Sequence, residues 1–209
     1  MTMKHTHEAG RSMIEMLGVL AIIGVLSVGG IAGYSQAMSK YKVTKTTDQI
    51  QTMVTNIRTL FAGQRTYKGL ETATTAYTMG IYTDETYPGS GSTGSNAYGG
   101  SIVITAFPAA APHYFAITYN GLPQDACTRM TMADWGDASS GLVGLVAKGT
   151  AQADGVSAVP ANAAVADGAG TFLTSSREEA TGVPVPLSSA VQACKGDTDN
   201  ISSISWIYR

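Results

Sequence analysis

The two cysteines, Cys127 and Cys194, carry the chemistry that is easiest to read in this sequence. They lie 67 residues apart, and no Cys-x-x-Cys spacing occurs, so neither a zinc site nor a thiol-redox centre is indicated. Two distant cysteines are typical of one disulfide in an oxidising compartment, whereas in a reducing compartment they would be two buried free thiols. Whether the cysteines form a disulfide therefore depends on whether the protein is exported. The N-terminal segment gives evidence on this point.

Glu15 is the second residue of chemical interest, because it lies at the start of a long apolar run. From Met16 to Met38 the chain has no ionisable group except Tyr34. A carboxylate in a membrane span is costly unless it is paired, which favours a functional role for Glu15. The alternative is local, since Ser12-x-x-Glu15 has the spacing of a helix capping box. The two interpretations are compatible and stay open at this point.

Catalytic and metal-binding motifs are not found in the sequence. It contains no Ser/His/Asp set, no phosphate-binding loop and no dinucleotide fingerprint, so we expect no enzyme activity, cofactor or metal. The segment 197–200 distantly resembles a calcium loop, but it lacks the glycine and the bidentate glutamate, and a solvated turn is predicted. Only 13% of residues are charged and the net charge is −2, which argues against nucleic-acid binding.

The residues around Glu15 are organised as a short leader followed by a membrane anchor. Residues 1–10 are polar and end at Ala9-Gly10, and residues 11–38 hold an apolar run of about the 20 residues that span a bilayer. An ordinary secretory signal has its cleavage site after the apolar stretch. Here the plausible site precedes that stretch, so cleavage would leave the anchor on the mature protein.

The segment from Gly10 to Leu26, GRSMIEMLGVLAIIGVL, resembles the processing and assembly segment of type IV pilins and pseudopilins. The resemblance implies that prepilin peptidase cuts between Gly10 and Arg11 and that the new terminal Arg11 is N-methylated. Arg11 stands where the family usually has Phe or Met. The resemblance also implies that Glu15 is required for filament assembly. A buried Glu15 carboxylate would there neutralise the Arg11 amino group of a neighbouring subunit.

A second, independent resemblance lies in the C-terminal half. The segments 115–127 and 193–196 resemble the type IVb major pilins, which include the toxin-coregulated and conjugative thin-pilus pilins. This implies a disulfide between Cys127 and Cys194 that bounds a region facing the filament surface. The implied function is that of a major pilin, the structural subunit of a homopolymeric type IV pilus.

The implied partners are other copies of the chain, prepilin peptidase and the assembly machinery of the bacterial inner membrane. The precursor would be inserted in that membrane and the mature protein would lie in an extracellular pilus. Two alternatives are a pseudopilin of a type II secretion system and a membrane-anchored sensor or enzyme. No catalytic motif supports the last of these.

The apolar run is expected to continue as one helix. Residues 39–63 place apolar side chains at steps of three and four, which is the amphipathic pattern, and Gly63 can end the helix. We therefore predict a helix from Met13 to Ala62, about 75 Å long at 1.5 Å per residue. Three lysines just beyond the span, Lys40, Lys42 and Lys45, are expected near lipid headgroups.

Residues 64–209 are predicted to form a head of mixed structure. β-Branched and aromatic residues predict a strand at 101–107, and alternating apolar residues predict strands at 113–119 and 201–208. A further apolar run covers 142–147, and Asn120-Gly121 predicts a turn. Helices are expected at 123–135 and 188–195, and loops at 88–100 and 149–170. The predicted fold class is α+β, with a long N-terminal helix packed against an antiparallel sheet and its apolar half exposed.

Overall fold

The structure, a computed structural model, describes residues 9–70, 73–87, 89, 93–196 and 201–209. Its first element is helix α1, Ala9–Phe61, of 53 residues. The chain divides after Tyr41 into two units, the second of which is Lys42–Arg209. The boundary expected from the sequence was after Met38. In the first unit every described residue belongs to α1.

The start of α1 bears on the capping-box interpretation of Ser12 and Glu15. A capping box requires Ser12 at the N-cap, outside the helical turn. Because α1 begins at Ala9, Ser12 lies inside the helix. The capping-box interpretation of Ser12 and Glu15 is therefore wrong for the full chain.

In its described residues, the second unit contains three short helices and one antiparallel sheet. The helices are α2 (Ala73–Thr78), α3 (Gln124–Met132) and α4 (Leu187–Ala193). The strands are β1 (Gly94–Ser95), β2 (Ser101–Phe107), β3 (Tyr114–Leu122), β4 (Leu142–Lys148), β5 (Ala164–Ala166), β6 (Ala169–Leu173) and β7 (Ser202–Tyr208). Their order across the sheet is β1-β2-β3-β7-β4-β6-β5, so the last strand lies near the centre.

The core lies between the inner face of this sheet and the amphipathic part of α1. Ile50 and Ile57 are fully buried and belong to one apolar cluster with Ile117 and Trp206 of the central strands. Side chains of a strand alternate between faces, so the same strands turn smaller or polar residues outward. The expected α+β architecture, a long helix packed on an antiparallel sheet, is confirmed.

The predicted turn at Asn120-Gly121 is wrong. Strand β3 continues through both residues to Leu122, and its pairing with β7 shifts register between Tyr119 and Leu122. Gly121 has φ of 71°, a conformation that glycine adopts without strain. The dipeptide thus forms a β-bulge inside a strand rather than a hairpin turn.

The two predicted loops also differ from the structure. The segment 149–170 contains β5 and the start of β6, which pair with each other, and β6 also pairs with β4. The segment 88–100 contains the two-residue strand β1, and α2 lies in the region predicted to be a connection. Helices α3 and α4 end at Met132 and Ala193, earlier than expected.

Candidate assembly surface

The N-terminal part of α1 is an exposed apolar rod. Its large side chains from Met13 to Ile31 are mostly exposed, with Val25 at 75% and Ile14 at 74%. Among the described residues, α1 is the one helix long and apolar enough to cross a membrane, and the apolar window is 0% buried. Exposed apolar surface costs about 25 cal/mol per Å² in water. Such a surface is suited to lipid or to other apolar helices.

The predicted processing and assembly residues lie at the beginning of this rod. Gly10 and Arg11 are in the first turn of α1, and Glu15 follows Arg11 by four residues. Positions four apart lie on the same helix face. The Glu15 side chain is exposed. The chain therefore presents one carboxylate at the end of an apolar surface.

Two lysines at the start of the second unit contact the head. Lys45 forms an ion pair with Glu85, and Lys42 Nζ lies 5.4 Å from the centre of the Tyr98 ring. The hydrogen bond from Lys45 lowers the pKa of the Glu85 carboxyl. Lys42 and Lys45 thus contact the connecting segment of the head. Their expected position near lipid headgroups stays a prediction.

A second set of contacts holds the end of α1. Asn56 Nδ2 donates to the carbonyl of Gly80 at 3.0 Å, and the Arg58 guanidinium lies 4.9 Å from the centre of the Tyr208 ring. Burial raises the pKa of Tyr208 to about 12, and the positive charge of Arg58 opposes the rise. These contacts join the helix to the turn after α2 and to the central strand β7.

Cys127 and Cys194 form the disulfide expected from the sequence. Cys127 lies in α3, Cys194 directly follows α4, and their Cα atoms are 5.9 Å apart. Both residues are fully buried, and the Thr131 hydroxyl lies 3.6 Å from Cys194 Sγ. The bond ties two helices that are distant in sequence.

A segment that we call the strap, residues 150–160, crosses the outer face of the sheet. The backbone N–H of Gln152 donates to Asn120 Oδ1 at 2.6 Å, and Asn120 Nδ2 donates back to the Gln152 carbonyl at 3.2 Å. Gln152 Nε2 also donates to Ser203 Oγ at 3.0 Å. Further along, the Thr105 hydroxyl donates to the Val156 carbonyl. The strap is therefore held by three strands.

Sequence reasoning missed the strap because its partners lie far away in the chain. Asn120 is 32 residues from Gln152, and Thr105 is 51 residues from Val156. Val156 and Val159 also pack on a small apolar cluster of the outer face that includes Ile207. The low-complexity composition of this tract gives no local signal for such contacts.

The described residues contain no group of three or more His, Cys, Asp or Glu side chains that could hold a metal ion. The segment 197–200, for which a solvated turn is predicted, lies outside the described residues. The described residues thus form an apolar rod with the Glu15 carboxylate near its start, and a head that contains one disulfide.

Comparison with known proteins gives one family and a fold. The family model described as PilS N terminal matches residues 40–205. A comparison with curated proteins finds no match. The crystal structure of TcpA, a type IV pilin from Vibrio cholerae El Tor biotype, aligns with a TM-score of 0.50 and 18% identity, over 81% of this chain and 99% of that chain.

The crystal structure of a type IVb pilin from Salmonella typhi aligns with a TM-score of 0.48 and 21% identity, over 81% of this chain and 99% of that chain. At 18% identity, the likeness to TcpA shows a shared fold. The family and the fold are structural rather than enzymatic. The chain belongs to the PilS N-terminal family and has the α+β fold of a type IV pilin.

Proposed function

We propose that this chain is the major structural subunit of a type IV pilus. The precursor inserts in the bacterial inner membrane through α1, and prepilin peptidase cuts it between Gly10 and Arg11. Arg11 then becomes the N-methylated terminus. The inner-membrane assembly machinery adds the mature chain to a homopolymeric filament outside the cell.

The observation that supports this proposal best is the exposed apolar part of α1. An apolar side chain that is fully buried gains about 1.5–3 kcal/mol relative to water. The chain itself covers few of the side chains between Met13 and Ile31. A bilayer before assembly and neighbouring helices after assembly would cover the same surface, as a filament subunit requires.

Glu15 gives the polymer its register in this proposal. Once its neighbours bury it, an unpaired carboxylate is strongly destabilising, while a carboxylate paired with an amino group is not. The amino group that cleavage creates at Arg11 of an adjacent copy supplies the partner. Subunits that do not align these two groups would leave both charges unpaired.

Replacement of Glu15 tests the assembly role. We expect Glu15→Val to lower the amount of sheared surface pili at least about tenfold, the equivalent of 1.4 kcal/mol or more. The amount of protein in the membrane should stay at the wild-type level. Glu179→Val, at an exposed glutamate of the head, is the matched control. Normal piliation by the Glu15 variant would contradict the proposal.

The alternative of a type II secretion pseudopilin makes a different prediction. A pseudopilin forms a short piston, whereas a major pilin is the dominant protein of long surface fibres. The PilS family match and the fold shared with TcpA favour the pilin. Mass spectrometry of sheared fibres decides between them, because a pseudopilin would not be their main component.

A further inference from the structure

The apolar rod has marked ends. Glu15 lies near its start, Tyr34 follows it, and residues 16–33 between them contain no ionisable group. This stretch rises about 27 Å at 1.5 Å per residue. The hydrocarbon core of a bilayer is roughly 30 Å thick. If the rod spans the core, Tyr34 lies at the boundary between acyl chains and headgroups.

Tyr34 lies at this boundary, and a lysine and a second tyrosine follow it on the water side. Tyr34 is 67% exposed and Tyr41 is 58% exposed, and the Lys40 side chain is also exposed. Tyr34 and Tyr41 are seven positions apart, so they share one helix face to within about 20°. A tyrosine has an apolar ring and a polar hydroxyl, which suits it to the membrane–water interface.

The three lysines after the apolar rod differ in their contacts with the head. Lys42 and Lys45 are partly buried in contacts with Tyr98 and Glu85. Lys40 is the exposed member of the three. The exposed ammonium of Lys40 can approach a lipid phosphate, whereas Lys42 and Lys45 contact residues of the head.

We propose that Tyr34, Lys40 and Tyr41 form a headgroup belt that binds the phospholipid headgroup layer and sets the depth of the precursor in the bilayer. The two rings are about 10 Å apart along the helix axis. One polar layer of a bilayer is roughly 5–8 Å thick. Tyr34 therefore lies at the inner limit of the headgroups, whereas Tyr41 and Lys40 lie just beyond their outer limit, from which the long lysine side chain can reach back to a phosphate. This inference rests on the proposed membrane stage of the pilin.

Cysteine labelling of the full-length precursor in inner-membrane vesicles tests the belt. Cys127 and Cys194 are joined, so an impermeant maleimide reports on an added cysteine. We expect Ile31→Cys to stay unlabelled, Thr44→Cys to react fully and Gln36→Cys to react slowly. All three positions are exposed on the helix, so protection would come from lipid.

The variant Tyr34→Ala/Tyr41→Ala removes both rings. The helix should then sink, and labelling at Gln36→Cys should fall about threefold or more, since a shift in depth costs only a fraction of a kcal/mol per Å. Tyr34→Trp/Tyr41→Trp should keep the wild-type rate, because Trp also prefers the interface. Tyr77→Ala, at an exposed tyrosine of the head, is the control.

The outcomes separate this inference from the function on which it rests. If Ile31→Cys reacts as fast as Thr44→Cys, the rod is not in a bilayer, and the membrane stage of the proposed function fails. If Ile31→Cys is protected but the labelling rate at Gln36→Cys is unchanged in Tyr34→Ala/Tyr41→Ala, only the headgroup belt is overturned. Lower piliation with an unmoved boundary would overturn it too, by assigning these tyrosines to subunit contacts.

Discussion

Cys127 and Cys194 join α3 to the end of α4, across 67 residues that include strands β4, β5 and β6. Three of the seven strands that the described residues form therefore lie inside the closed loop. In the chain-entropy account, a disulfide stabilises a fold by restricting the unfolded chain, and long loops gain most. The disulfide therefore restricts the unfolded chain over a large part of the head.

We expect Cys127→Ala/Cys194→Ala to lower the free energy of unfolding by about 4 kcal/mol, the value for a loop of this length. Urea unfolding of the full chain in detergent measures the change. Wild-type protein with and without reductant is the control, and reduction should reproduce most of the loss. An unchanged midpoint in both experiments would show that the closed loop does not limit the unfolded chain.

At the scale of elements, the predictions that depend on periodicity were the reliable ones. Helix α1 follows from apolar residues at steps of three to four and strand β7 from apolar residues at steps of two, and each of these patterns reflects a buried face. β7 alternates large inner side chains with Ser203 and Ser205. Such patterns are local, so the sequence alone reveals them.

The elements that were missed depend on contacts made elsewhere. β5 and β6 are rich in Ala and Gly, residues that are poor strand formers, and they exist because β6 pairs with β4. Asn120-Gly121 fits a hairpin turn equally well, and only its pairing with β7 makes it a bulge. Likewise, the processing and assembly roles of Gly10, Arg11 and Glu15 rest on resemblance and remain predictions.

Gly170 shows why one strand needs a residue without a side chain. A Cβ at this position would lie 2.5 Å from Ala193 Cβ of α4, closer than atoms can approach. We expect Gly170→Ala to cost about 1–3 kcal/mol of unfolding free energy, because the strand and helix must move apart. Gly63→Ala is the control, since a Cβ there meets nothing within 4 Å. Equal unfolding midpoints for both variants would contradict this packing.

At the scale of the whole molecule, the apolar rod and the head differ in the surroundings that suit them. Side chains of the rod are exposed, whereas those of the head surround a core with several buried tyrosines. Burial raises the pKa of Tyr98 and of Tyr208 to about 12, and it also raises the pKa of Tyr82 and Tyr119. The folded head therefore favours the neutral form of these phenols over the ionised form.

These tyrosines make the stability of the head sensitive to alkali. A phenol with a pKa near 10 when unfolded and about 12 when folded contributes its full stability below pH 10. That contribution is lost as the pH rises towards 12, so the free energy of unfolding should fall across this window. All four phenols whose pKa is raised should contribute to this fall.

Tyr208→Phe should reduce the alkaline loss by up to about 2 kcal/mol, because one titrating group is removed. Unfolding in detergent at pH 8, 10 and 11.5 measures the slope, and tyrosinate absorbance follows the ionisation. Tyr41→Phe, at an exposed tyrosine, is the control. An identical slope in wild type and Tyr208→Phe would show that this phenol does not titrate with unfolding.

The strap has one set of residues that contacts the sheet and another set that is exposed to solvent. Its inward residues, such as Gln152 and Val156, hold it to the strands, while Ala153, Asp154 and Ser157 are exposed. The outward positions are thus open to substitution without disturbing the ladder beneath. We therefore expect a peptide inserted at Ser157 to leave the architecture of the head unchanged.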